Sequence, residues 1–333
     1  MITSSAFRPA WWLPGPHLQA VGGRLLRSKG GVSYRRERIE LADGDFVDLD
    51  WTVEAQGHRP GDAEPLVLIL HGLEGSASSD YVLETVRALA RRGLASAALN
   101  FRSCSGEMNR LARFYHSGDT ADAAAVIELI RARFPDRPLG AVGFSLGGNV
   151  LLKHLGECSR NGRDSAAADA AVGISVPYDL TRGIDALEFG KGHWYQSYFL
   201  RKLRRKVRFK ADLLREHVDV ERLLEVRTLR AFDEFGTAPL HDFLDSADYY
   251  RRASSKPYLP DVRRPTLLIH AVDDPFLPAA AIPRREEAEN PHLEALFPER
   301  GGHVGFVGGS PWAPVFWAER EAATFLAEKL SGF

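Results

Sequence analysis

The sequence predicts an α/β fold: a mostly parallel central sheet with helices on both faces and a helical cap inserted above it. Three observations predict it. From Leu66 onward, short apolar runs alternate with stretches of helical period. A serine stands between two glycines at the junction of one such run and a helix. Between Tyr178 and Pro260 the alternation stops, over a length too great for a bare loop.

The elements follow in order. Two strands open the fold, Tyr34 to Leu41 and Phe46 to Val53, joined through Asp43-Gly44 as a hairpin. Leu66-Val67-Leu68-Ile69-Leu70 is continuously apolar, as a central parallel strand covered on both faces requires. A helix from Asp80 to Arg91 follows it, then a strand from Ala95 to Phe101 and a helix from Thr120 to Ala132. The strand at Leu139 to Val142 runs into the serine and a helix that starts at Gly147, and Ala170 to Val176 is the next strand. After the cap, a strand at Thr266, a helix near Ala280, a strand at Leu293 and a helix from Val315 to Leu330 complete the pattern. With 333 residues, 44% of them hydrophobic, the chain can bury one large core plus an insertion. The expected organisation is a single domain over residues 1–333, with the cap at 178–260 inside it.

The chemistry concentrates at Gly143-Phe144-Ser145-Leu146-Gly147. A chain that turns sharply from strand to helix can lift a serine hydroxyl clear of the sheet, provided no β-carbons crowd the turn. Gly143 and Gly147 remove them. The helix that begins beneath Ser145 aims backbone N–H groups and the positive end of its dipole at any oxyanion formed there. This arrangement points to acyl transfer, with the amide of Leu146 as one oxyanion donor.

Its companions are spaced along the chain. His71-Gly72-Leu73-Glu74-Gly75 ends the first parallel strand, and the amide of Leu73 is the expected second donor, while His71 fixes the loop by hydrogen bonds. His303, in Gly301-Gly302-His303-Val304-Gly305-Phe306, is the expected general base. The acid stands between serine and histidine, after the strand that begins at Thr266. There Asp273 and Asp274 compete, and the register of Ala271, the acid and Pro278 selects Asp274, leaving Asp273 to brace the turn. His17 and His116 take structural roles, the latter fixing the loop before the helix at Thr120.

These residues belong to longer blocks. Trp12-Leu13-Pro14-Gly15-Pro16-His17-Leu18-Gln19-Ala20, Asn100-Phe101-Arg102-Ser103-Cys104-Ser105-Gly106-Glu107, Tyr115-His116-Ser117-Gly118 and the block around His303 together resemble the YheT-like branch of the α/β-hydrolases, related to embryogenesis-associated and lipase-type members. Ala20 stands where that pattern has threonine, and Ser103 where it has glycine. The resemblance implies the α/β-hydrolase fold and a carboxylesterase or lipase acting on acyl esters such as acylglycerols or phospholipids. A thioesterase, or a hydrolase-fold protein that binds ligand and turns over slowly, would carry the same residues. No cofactor is expected.

Composition sets limits. A net charge of −1 gives no pull towards nucleic acid. Cys104 and Cys158 have no metal-ligand spacing and form no disulfide framework. Prolines interrupt the N-terminal segment, and no run of about 18 apolar residues occurs, so a cytoplasmic protein is expected. Within the cap, Lys191 to Lys210 is strongly basic, with Tyr195, Phe199, Leu203 and Val207 at every fourth position and Trp194 and Tyr198 alongside. Its basic face either meets water and the acidic Asp233, Glu234, Asp242 and Asp245, or attracts an anionic membrane surface or phosphate-bearing substrate while the aromatics line an acyl tunnel.

Overall fold

The computed structural model describes residues 7–52, 64–190 and 193–331. Val53 and Lys191, the expected ends of a strand and of the cap helix, lie outside them, as does the side chain of Trp194. The strands are β1 (Tyr34–Glu40), β2 (Phe46–Thr52), β3 (Leu66–Leu70), β4 (Ala95–Asn100), β5 (Leu139–Phe144), β6 (Ala170–Ile174), β7 (Thr266–Ile269) and β8 (Leu293–Leu296). They form one sheet in the order β1-β2-β4-β3-β5-β6-β7-β8. The β1–β2 hairpin joins β4 antiparallel, and from β4 to β8 every pairing is parallel. Because β3 lies between β4 and β5, the connections from β3 and β5 leave in opposite directions and open a crevice at their C-terminal ends.

The period of two along each strand divides the core into two layers. Leu66, Leu68 and Leu70 of β3 pack with Val126, Ile127 and Ile130 of α3 (Ala121–Arg133) and Val150, Leu151 and Leu155 of α4 (Leu146–Arg160). Val67 and Ile69 face the other way, onto Val82, Val86 and Leu89 of α2 (Asp80–Ala90) and Phe325 and Leu326 of α13 (Trp317–Leu330). This is the sandwich of helices on both faces that the alternation predicted.

The elements differ from expectation where proline or a hairpin intervenes. The helix expected near Ala280 is a short turn at Ala279–Ala281 followed by α12 (Arg284–Glu289). Pro283 cannot donate within a helix and disfavours helical geometry before it, so the helix starts after it. The last helix begins at Trp317 because Ala313–Phe316 (β10) pairs with Val307–Ser310 (β9). An unexpected helix, α1 (Pro16–Leu26), starts with Pro16 in its first turn, where a missing N–H costs nothing.

Between β6 and β7 the chain is helical: α5 (Leu180–Phe189), α6 (His193–Phe209), α7 (Ala211–Leu214), α8 (Val220–Glu225), α9 (Leu229–Phe232), α10 (Ala238–Leu240) and α11 (Ser246–Ala253). Leu187, Leu200, Val207, Leu214, Leu223 and Phe232 give this insertion its own apolar cluster. The bases of α6 do not share one face. Lys202 and Lys206, with Lys210 just beyond the helix, turn inward, to the Glu74 carbonyl at 2.9 Å, the Glu74 carboxylate at 2.6 Å and Asn109 Oδ1 at 2.9 Å, and Arg204 donates to the Val226 carbonyl. Arg201, Arg205 and Arg208 remain exposed. The acidic residues expected as their partners are engaged elsewhere: Asp233 by Tyr250 and Thr237, Glu234 by the Ser246 amide and Asp245 by the Asp248 amide at the start of α11. Asp242 is exposed at a turn and meets none of them. Among the described residues no helix is long and apolar enough to cross a membrane.

Candidate active site

Ser145 sits between β5 and α4 with φ 49° and ψ −119°, a backbone angle that L-residues avoid. The surrounding packing imposes it. A β-carbon on Gly143 would come 2.5 Å from the Gly147 carbonyl, and one on Gly147 would come 2.5 Å from the carbonyls of Leu70 and His71. The helix can therefore start directly against the end of β3, with Ser145 lifted between them.

The structure brings the three expected side chains together. His303 Nε2 lies 3.0 Å from Ser145 Oγ, and His303 Nδ1 lies 2.8 Å from Asp274 Oδ2. Asp274 Oδ1 accepts the Phe276 amide at 2.8 Å. Burial pushes the Asp274 carboxyl up, but the attraction and hydrogen bond of His303, with His270 and the Phe276 amide, outweigh it and hold the group below the usual carboxylate range. Asp273 turns away and accepts the Gly302 amide at 2.9 Å, so it braces the histidine loop rather than its own turn. Burial pushes its carboxyl up. Phe276 stacks on the His303 ring with centroids 4.1 Å apart.

Beside Ser145 the loop after β3 presents a row of amides. Gly72 donates to Tyr81 Oη at 2.8 Å and Glu74 to Tyr115 Oη at 2.7 Å, whereas the Leu73 amide between them has no acceptor among the described residues. The Leu146 amide, in the first turn of α4, is also without one. A β-carbon on Gly72 would stand 3.2 Å from the Ser145 β-carbon, which measures how closely this loop approaches the serine. His71 is buried and bridges the loop to β4: its Nδ1 meets the Gly72 carbonyl at 2.7 Å and its Nε2 accepts the Phe101 amide at 3.2 Å. Burial pushes this imidazole down to about 3, so it stays neutral and structural.

Two supports were not legible in the sequence. The first is α1, whose Gln19 accepts the Val307 amide at 2.8 Å and whose flanking Arg27 donates to the carbonyls of Val304 and Gly305 at 2.8 and 3.1 Å. This anchors a loop in which Gly302, Val304 and Phe306 all have positive φ. The second is Glu74, itself at φ 56°, whose carboxylate pairs with Lys206 at 2.6 Å and whose carbonyl accepts from Lys202. The residue next to Leu73 is thereby tied to the helical insertion. His17 Nδ1 contacts Tyr195 Oη at 3.2 Å, in keeping with a structural role.

A cavity of about 150 Å³ opens at Ser145 and His303. Leu73, Leu146, Leu180, Ile184, Leu187, Phe199, Leu203, Leu229 and Phe232 make most of its wall apolar, and the insertion roofs it.

A strained serine at a strand-to-helix turn, a histidine and a buried aspartate reached in the chain order Ser, Asp, His, and a sheet of this strand order define one class. A family model for the α/β-hydrolase fold matches residues 65–310, and the chain belongs to that family. Within it the chain belongs with the YheT-like hydrolases. The putative esterase YheT of Escherichia coli (strain K12) is 38% identical to it over 98% of this chain and 95% of YheT. Phospholipase ABHD3 of Mus musculus is 30% identical over 92% of this chain and 75% of its own. Among solved structures, the Pyrococcus furiosus esterase Pf2001 shares the fold, with a TM-score of 0.59 over 99% of this chain and 98% of that one at 16% identity. The protein is thus an α/β-hydrolase whose relatives are of the esterase and lipase type.

Proposed function

We propose that the protein hydrolyses carboxylic esters with an apolar acyl chain through an acyl-enzyme formed on Ser145. The observation that carries this is the unbroken relay of His303 between Ser145 Oγ and buried Asp274, at 3.0 and 2.8 Å. His303 Nε2 takes the hydroxyl proton as Ser145 Oγ attacks the ester carbonyl. Asp274 holds the ring orientation through Nδ1 and stabilises the imidazolium. The amides of Leu73 and Leu146 donate to the oxyanion, and the proton passes to the departing alcohol. Water then attacks the acyl-enzyme by the same route in reverse.

The apolar cavity supports a hydrophobic acyl chain, and the names of the relatives, an esterase and a phospholipase, agree with lipid-like esters. Delivery from a lipid surface fits one face of the molecule. Leu18, Val21 and Leu25 of α1 are 49%, 44% and 77% exposed, and Arg24 stacks over Tyr198 of α6, the helix that carries Arg201, Arg205 and Arg208 outward. Apolar side chains beside unpaired arginines suit an anionic bilayer. The deciding experiment is a series of p-nitrophenyl esters and monoacylglycerols of increasing chain length, run beside Ser145→Ala. The expected result is turnover that rises with chain length to an optimum and vanishes in the variant; turnover retained by the variant would overturn the proposal.

A further inference from the structure

The cavity at Ser145 is not apolar throughout. His116, Asp233, Thr237 and His241 also line it. The rings of His116 and His241 lie edge to face, with centroids 4.5 Å apart, and Phe243 and Tyr249 pack edge to face on His116 at 5.4 and 5.6 Å. His116 Nδ1 accepts the Gly118 amide at 3.1 Å, which places the proton of the neutral ring on Nε2 as a donor. Among the described residues that donor has no acceptor, and neither nitrogen of His241 has a hydrogen-bond partner.

The neighbourhood neither charges nor satisfies these rings. Burial pushes His116 down to about 3, and burial together with His116 and Arg113 pushes His241 down to about 2. Of the wall's two carboxylates, Glu74 is paired with Lys206, and both oxygens of Asp233 are taken, by Thr237 Oγ1 and Tyr250 Oη at 2.7 Å each. Residues 233–237 form a wide π turn, a departure from α geometry often found at functional sites, and it sets Asp233 and Thr237 into the wall. Both rings are half-buried, and their nitrogens are not sealed off from the cavity, so a ligand bound there can reach them and supply hydrogen-bond partners.

The charge of that partner follows from the bases nearby. Among the described residues lining the cavity, Lys206 is the only Lys or Arg, and it is paired with Glu74. Arg102 is held by Asp122, Asp43 and Asp45, and Arg113 by Asp119. A carboxylate or phosphate entering here would shed water without gaining a counter-charge. A hydroxyl would not, since it both donates and accepts.

We propose that His116 and His241 form a polar subsite that recognises an uncharged hydroxyl carried by the ester substrate. This rests on the ester-hydrolase proposal and adds to it a requirement on the substrate. The subsite should discriminate within matched pairs: methyl-terminated against hydroxylated acyl p-nitrophenyl esters, and the methyl ester against the 1-monoacylglycerol of one fatty acid. One or two hydrogen bonds correspond to a five- to thirtyfold advantage in kcat/KM, roughly, for the hydroxylated member of at least one pair. His241→Leu should abolish that preference, while His241→Gln, which keeps a donor near Nε2, should retain most of it. His116→Asn keeps an acceptor for the Gly118 amide and loses the donor, so it should reduce the preference without unfolding the protein. In all three variants the plain ester should be hydrolysed within about threefold of the parent rate. Equal rates within every pair, or variants that slow plain and hydroxylated esters alike, would overturn the subsite and leave the hydrolase proposal standing. Should no ester turn over, the hydrolase proposal fails, and thermal shifts with 1-chlorodecane against decanol still test the subsite: a larger shift with the alcohol that is lost in His241→Leu supports it, and equal shifts refute it.

Discussion

Lys206→Met would test how the helical insertion governs the loop beside Ser145. Every polar backbone and side-chain contact of Glu74 leads to a fixed partner: its amide to Tyr115, its carbonyl to Lys202 and its carboxylate to Lys206 and Tyr115. The two side chains of the ion pair are 4% and 10% exposed, so solvent screens them little. Methionine matches the lysine stem and removes the ammonium, leaving a buried carboxylate without its counter-charge. Breaking a buried pair from one side costs about 3–5 kcal/mol, whereas replacing both charges is often close to neutral. The single variant should lose stability on that scale, and Lys206→Met with Glu74→Gln should recover most of it. Activity should follow the loop. If Glu74 relaxes from its positive φ, the Leu73 amide next to it moves, and loss of one oxyanion donor costs about 10²–10³ in kcat. Urea unfolding and kcat with p-nitrophenyl butyrate measure both. A single variant that loses under about 1 kcal/mol, or a double variant as unstable as the single, would refute the clamp.

Other perturbations separate the remaining roles. Ser145→Ala, His303→Ala and Asp274→Asn should each lower kcat by roughly 10⁴ or more with the fold retained, an organophosphonate should label the parent only at Ser145, and Asp273→Asn, which loses a bond to the Gly302 amide, should cost far less. Stability should fall as pH drops below about 6.5, because unfolded histidines take up protons there while burial keeps His71, His116, His241 and His270 neutral, at about 3, 3, 2 and 4. Their contribution is full above the unfolded value and is lost as pH falls towards the folded ones, at about 1.4 kcal/mol per pH unit and proton; Asp233, pushed up to about 6 by burial, contributes the opposite slope between about 4 and 6. Urea midpoints at pH 7, 6 and 5 should fall in the parent and fall less in His116→Asn with His241→Gln, and a flat profile would contradict it. Glutamine at Arg201, Arg205 and Arg208 should weaken co-sedimentation with anionic vesicles at low salt and leave p-nitrophenyl butyrate turnover unchanged; a parent that never sediments would end the lipid-surface proposal.

What could be read from the sequence was local. Ser145 and its glycines, the apolar run of β3 and the register that favoured Asp274 over Asp273 each depend on neighbours within a few positions, and the structure places all of them as expected. Ser103 shows why its block resembles one with glycine: its φ is 61°, and the serine offsets that angle by bonding Asn109 at 2.5 Å. What was not legible depends on residues far apart. Helix α1 was hidden by Pro14, Pro16 and the glycine pair Gly22-Gly23, which break helical periodicity but allow it to pack against the histidine loop. The sequence offers water, nearby acids or an anionic surface for the bases of α6, yet Lys206 pairs with Glu74, 132 positions away, because topology and not sequence distance brings them together.

The position of α1 also bears on how this protein can be divided. The residues that match the hydrolase family begin at 65, and a chain cut there would keep Ser145, Asp274 and His303. It would lose Gln19 and Arg27, which hold the backbone on the far side of His303 at Val304, Gly305 and Val307. It would also lose β1 and β2, so the family match covers neither the whole sheet nor the backbone that holds His303. A fusion, a circular permutation or a library that treats the first sixty-four residues as expendable would remove the mount of His303 and two strands of the sheet, and leave Ser145, Asp274 and His303 in the chain.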